Sequence, residues 1–279
     1  MTRRPAVAGS WYPKIPGALT QEVDGYLSAA AEPPAGQVVA VLAPHAGIMF
    51  SGPVGAYAWK AAAAGSYDVV ALVGPSHFSG FDGVALWPDG AFDTPLGPAP
   101  IDPYAAQALS AFPIIQPLPA PHEREHSLEM QLPFLRRLLP DVTIVPLLMG
   151  YQRRETIEGL AAALAAAFRG RRVLLVASTD LSHYFDATTA ADLDGRVLDC
   201  VARFDPEGLL EVFEHYPEAE RGRYVACGGG PAIAVMLAAR TLGAGQGRVL
   251  RYSHSGVISG DYDGVVGYMA GAFGVFDAV

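Results

Sequence analysis

From residue 37 to the end, short continuous apolar runs alternate with longer Ala-rich segments. Residues 37–42 read as a buried strand closed by Pro44-His45-Ala46-Gly47, and residues 69–73 as a second closed by Gly74-Pro75-Ser76-His77. Residues 142–148 and 172–177 are two more, and 248–254 and 265–273 look like closing strands. Helices are predicted over 53–64, 155–168, 192–204 and 231–242. Pro53 suits a first helical turn, where its missing N–H leaves no bond unmade. In the third helix Leu193, Val197, Cys200, Val201 and Phe204 fall on one apolar stripe. Strands that are apolar without alternation are expected where helices cover both faces of a sheet. The pattern therefore predicts an α/β fold. No linker, repeat or low-complexity stretch marks a boundary, so residues 1–279 are expected to form one domain, with 95–121 as a long structured connection.

Composition narrows the functional classes. Of 279 residues, 51% are hydrophobic and 17% charged, which describes a globular chain able to bury a core. The net charge of −9, with no basic run, argues against nucleic acid and against anionic membrane surfaces as partners. Two cysteines imply no disulfide framework. The basic start is followed by no sustained apolar stretch, and no run is long enough to span a bilayer. A soluble, cytoplasmic protein is the expectation.

In open α/β sheets ligands bind beyond the carboxyl ends of the strands. His45 and His77 follow two such ends, and His183 follows a third through Ser178-Thr179-Asp180-Leu181-Ser182. Cys227 precedes Gly228-Gly229-Gly230-Pro231 at the expected start of a helix, where the dipole favours thiolate. His45, His77 and Cys227 are thus candidate ligands for a transition metal, since imidazole and thiolate suit iron, copper and zinc. His183 is a candidate acid/base and Asp180 either orients a neighbour or caps the next helix. On a helix, His122 and His126 would share a face with Glu129 one turn on; His126 is assigned to the main pocket rather than to a separate metal site. Cys200 is assigned to the core, and His215 and His254 to structural roles.

Several spaced motifs resemble the Memo family. They are Arg4-Pro5-Ala6-Val7-Ala8-Gly9-Ser10-Trp11-Tyr12-Pro13, Ala43-Pro44-His45-Ala46-Gly47 with Ser51-Gly52, and Gly74-Pro75-Ser76-His77. Thr94-Pro95-Leu96-Gly97, Glu125-His126-Ser127-Leu128-Glu129 and Gln131-Leu132-Pro133-Phe134-Leu135 follow. Ser178-Thr179-Asp180-Leu181-Ser182-His183-Tyr184, Cys227-Gly228 and Val265-Val266-Gly267-Tyr268 complete the set. The resemblance implies a fold similar to class III extradiol dioxygenases: three layers, α/β/α, around a mostly parallel or mixed sheet. Those enzymes hold Fe(II) with two histidines and a glutamate. By resemblance His45 and His77 take the histidine places, Cys227 the carboxylate place, and His183 and His126 the acid/base and pocket positions. The softer sulfur brings in Cu(I) or Zn(II) beside Fe(II). The implied activity is an oxygen-using oxidoreductase acting on a phenolic, indolic or other redox-active small molecule. A non-catalytic metal- or peptide-binding module and a zinc hydrolase are the alternatives. The resemblance also implies a radical SAM protein and an AMMECR1-type protein as partners.

Overall fold

The computed structural model describes residues 1–277, and its centre is a nine-stranded mixed sheet. The strands are β1 (Gly36–Ala43), β2 (Val69–Pro75), β3 (Val84–Leu86), β4 (Ile115–Pro117), β5 (Thr143–Met149), β6 (Val173–Ser178), β7 (His183–Phe185), β8 (Gln246–His254) and β9 (Val265–Phe276). Their order is β7-β9-β1-β6-β2-β5-β3-β4, with β8 also paired to β9. The middle four, β1, β6, β2 and β5, are mutually parallel. Strand β9 joins them antiparallel at β1, and β3 joins antiparallel at β5. Strands β2 and β6 are buried throughout, which is why their sequences do not alternate.

Helices α1 (Pro16–Ala29), α2 (Ile48–Ala63), α3 (Pro103–Ser110), α4 (Leu132–Leu138), α5 (Arg154–Ala167), α6 (Ala187–Arg203), α7 (Pro206–Glu214) and α8 (Gly229–Thr241) flank the sheet. Helix α2 lies on β1, β8 and β9 and carries α1 and α4; α8 lies on β6, β2 and β1 and carries α5 and α7. One continuous apolar cluster runs from Tyr12 to Phe276. No helix of the described residues is long and apolar enough to cross a membrane.

Three local expectations are corrected. Helix α2 begins at Ile48, so Pro53 lies inside it rather than in its first turn. Tertiary packing sets the earlier start: the Ile48 N–H donates to the Trp11 carbonyl at 2.8 Å and the Ile48 side chain is buried. Helix α6 begins at Ala187, because Asp186 accepts the N–H groups of Thr188 and Thr189 as its cap. That removes the cap role considered for Asp180. Residues 122–129 are not a continuous helix but two 3₁₀ turns, Ala120–His122 and Glu129–Gln131, joined by irregular chain. Side chains serve the backbone there instead: Arg3 donates to the carbonyls of His122 and Glu125, and Glu125 accepts the N–H groups of His126 and Ser127. The connection over 95–121 holds α3 and β4.

A candidate metal centre at the parallel strand ends

Because β1, β2 and β6 run parallel and in register, their carboxyl ends open on one edge of the sheet, with Ala43 beside Ser178. The residues immediately beyond are His45, His77 and Asp180. Cys227 reaches them from the turn before α8, anchored by its N–H to the Asp180 carbonyl at 3.2 Å. One donor atom from each of His45, His77 and Cys227 lies within 4.8 Å of the other two. His45 Nε2 is 3.2 Å from Cys227 Sγ, and the two histidine rings meet edge-on with centroids 5.2 Å apart.

Each imidazole is held by its other nitrogen. His45 Nδ1 lies 2.9 Å from Ser178 Oγ, and the His45 N–H donates to Asp180 Oδ1 at 2.7 Å. His77 Nδ1 lies 2.9 Å from Glu125 Oε1, while Glu125 Oε2 accepts the His77 N–H at 2.6 Å. Glu125 Oε1 also accepts the N–H groups of His126 and Ser127, both at 2.9 Å. Glu125 therefore spends both oxygens on orienting His77 and the loop around it. Although Glu125 also clusters with His77 and His126, its lone pairs are committed to these donors, which argues against a ligand role.

The electrostatics follow. Burial alone would push the His77 ring down, but hydrogen bonds to Cys227 and Glu125, with the charges of both, raise it to about 10. Burial likewise opposes ionisation of Glu125, yet His77 holds that carboxyl well below the usual carboxylate range. Cys227 is pushed up by burial and pulled down more strongly by the His45 charge and by hydrogen bonds to His45 and His77, settling at about 6. Between about pH 6 and 10 the metal-free centre holds a thiolate beside an imidazolium. Alkylation of Cys227 by iodoacetamide is expected to rise with a midpoint near pH 6, above which the thiolate dominates. A midpoint in the ordinary thiol range near 8.5 would contradict this electrostatic reading. Cys200, buried on α6 with its thiol pushed up, should stay unreactive.

The remaining expected residues surround this group. The His126 ring stacks on His77 with centroids 4.5 Å apart and touches Trp11 at 4.3 Å. Burial and the charges of His45 and His77 hold it down near 3, so it stays neutral. Asp180 is fully buried, and burial raises its carboxyl despite the opposing charge of His183 and the N–H of His45. It orients the His45 loop. His183, half-buried on β7, keeps a buried Nδ1 without a hydrogen-bond partner. Its neighbour Tyr184 is exposed at φ 62°, at a break in register between β7 and β9 that turns these side chains. His122 lies elsewhere, buried with Nε2 on the Ala85 carbonyl at 3.1 Å. His215 is exposed on α7's end, and His254 closes β8.

A family model described as "Memo-like protein" matches residues 3–272. The chain belongs to the Memo family. A MEMO1 family protein of Methanothermobacter thermautotrophicus is 36% identical, covering 96% of this chain and 99% of the relative. Those of Methanopyrus kandleri and Thermotoga maritima are 35% and 34% identical, covering 98% and 97% of this chain and 99% of each relative. The solved structure of an uncharacterized protein from Escherichia coli K12 matches with TM-score 0.59 and 15% identity, over 85% of this chain and all of the other. That likeness concerns the fold alone.

Glu125, Ser178 and Trp11 adjoin this candidate centre although their residue types alone did not single them out. Glu125 adjoins His126 in a motif already carrying the resemblance, which was the available signal. Glu125→Gln would set an amide donor against the N–H groups that the carboxylate now accepts. It is expected to lower Zn(II) affinity about 10- to 100-fold, measured by titration calorimetry. An unchanged affinity in a folded variant would remove Glu125 from the site.

Proposed function

We propose that this Memo-family protein is a metal-dependent oxidoreductase that uses dioxygen, with His45, His77 and Cys227 holding Fe(II). The supporting observation is the donor set itself: two imidazole Nε2 atoms face one thiol, and each opposite ring nitrogen is already occupied. Three protein ligands leave open positions, and the thiolate makes Cu(I) or Zn(II) the competing ions. The bound ion supplies redox chemistry toward dioxygen and a Lewis-acid centre for a substrate oxygen.

The chain's own groups do the rest. Trp11, 37% exposed, and Phe78, 54% exposed, both contact His126 and offer flat apolar surface at the opening, suited to a phenolic or indolic ring. His126, neutral, can donate or accept a hydrogen bond beside that ring without adding charge. His183 has a ring nitrogen unused by the fold and serves to move a proton, with Asp180 beside it. Protein loaded anaerobically with Fe(II), and separately with Cu(I) or Zn(II), is tested for oxygen uptake with a panel of phenols and indoles. Fe(II)-dependent uptake that falls at least about 100-fold in His183→Ala, within the usual reach of acid/base catalysis, is expected. Uptake no greater than that of a His45→Ala control would refute the proposal, and activity with zinc alone, indifferent to oxygen, would replace it with hydrolysis.

A further inference from the structure

From the hydrogen bonds behind His45 we infer that Ser178, its hydroxyl proton held by the Ser127 carbonyl, fixes which nitrogen of His45 faces the metal centre, with Gln131 and Trp59 holding Ser178 in place. This deepens the metal-site proposal and rests on it for its consequence, but not for its test. The Trp59 indole can only donate, and its Nε1–H lies 2.9 Å from Gln131 Oε1. That contact sets the orientation of the Gln131 amide, because the flipped amide would point N–H at N–H. The Gln131 Nε2 group then donates to the Pro44 carbonyl at 3.0 Å and to Ser178 Oγ at 2.8 Å.

Ser178 has a single hydroxyl proton, and it lies 2.6 Å from the Ser127 carbonyl, which can only accept. With that proton committed and one lone pair taken by Gln131, Ser178 Oγ can only accept from its remaining neighbour, His45 Nδ1 at 2.9 Å. His45 Nδ1 must therefore carry a proton, whatever the state of Nε2. Every group in this series is buried, so water does not offer substitutes.

The arrangement opposes a local pull. Cys227 Sγ sits 3.2 Å from His45 Nε2, and a thiolate there favours a proton on Nε2, the atom a metal needs bare. With a proton fixed on Nδ1, a second proton on Nε2 makes the ring cationic and readily displaced by an incoming cation. With Nδ1 free, a neutral ring could keep its one proton on Nε2, pointed into the centre. Trp59, Gln131 and Ser178 are thus positioning residues, none of which touches the ion's place.

Long-range ¹H–¹⁵N correlation spectra of histidine-labelled, metal-free protein test this directly. In the wild type the assigned His45 Nδ1 is expected in the protonated range at every pH where the fold persists. In Ser178→Ala the Nδ1 signal should move toward the unprotonated range, with native dispersion elsewhere confirming the fold, whereas Gln131→Met leaves the Ser178 hydroxyl on the Ser127 carbonyl and should keep Nδ1 protonated. Zn(II) affinity should fall about tenfold or more in Ser178→Ala. An unprotonated Nδ1 in the wild type overturns the inference. So does a protonated Nδ1 retained in folded Ser178→Ala, or an unprotonated one in folded Gln131→Met. Should Ser178→Ala fail to fold, the wild-type Nδ1 signal decides. Absence of zinc binding by the wild type would refute the metal proposal while leaving the spectral result standing.

Discussion

Protein carrying Cys227→Ala and prepared without oxygen is expected to bind its transition metal at least about 100-fold more weakly than the wild type. Loss of an orienting neighbour alone costs 10- to 100-fold, and removing a ligand should exceed that. The thiol is the anionic donor of the set, held at about 6 by the two histidines and so ionised at neutral pH. Alanine removes the only anionic group between the two imidazoles, leaving His77 with Glu125 alone, and His45 and His77 then repel each other when protonated. His45→Ala should act similarly, because its ring is buried and contacts the sulfur directly. Metal content by elemental analysis after equilibrium dialysis gives the comparison. Wild-type stoichiometry retained in Cys227→Ala would mean that the sulfur is a bystander.

The largest loss of stability is expected from Arg3→Ala. Arg3 and Glu129 form a 2.6 Å ion pair in which both side chains are almost fully buried. Glu129 also accepts the Tyr12 hydroxyl at 2.6 Å and the N–H groups of Ala6 and Val7 at 2.7 and 3.0 Å. Removing one partner of such a pair strands the other charge away from water, which costs about 3–5 kcal/mol. A fold of ordinary stability, about 5–15 kcal/mol, would lose a large share of it. The same pair ties the segment before α1, which holds Trp11, to the turn that follows Glu125 and His126. Chemical denaturation should therefore show a markedly lower midpoint, with increased solvent access to Trp11. A change under about 1 kcal/mol would show that Arg3 is not held as described.

The parallel strands were legible because burial on both faces leaves uninterrupted apolar runs, and their ends carried His45 and His77 in plain view. The first 35 residues were not, since α1 buries only Leu19 and Val23 and has no capping side chain. The short strands β3, β4 and β7 have three residues each, too few for a period to register. Within the site, Cys227 was legible from the glycines that start α8. Ser178 and Gln131 were not legible as supports of His45, because that role exists only when β6 and the turn before α4 meet behind the ring. The segment holding His126 misled for a related reason. Its i, i+4 spacing suits a helix, but Arg3, distant in sequence, takes the backbone carbonyls and leaves irregular chain.

X-ray absorption at the metal edge of anaerobically reconstituted protein bears most directly on the central claim. One sulfur scatterer at about 2.3 Å together with imidazole nitrogens at about 2.0–2.1 Å is expected for the zinc form, with the sulfur absent from Cys227→Ala. A wild-type spectrum fitted by nitrogen and oxygen alone, unchanged in that variant, would contradict the assignment of His45, His77 and Cys227 to one centre.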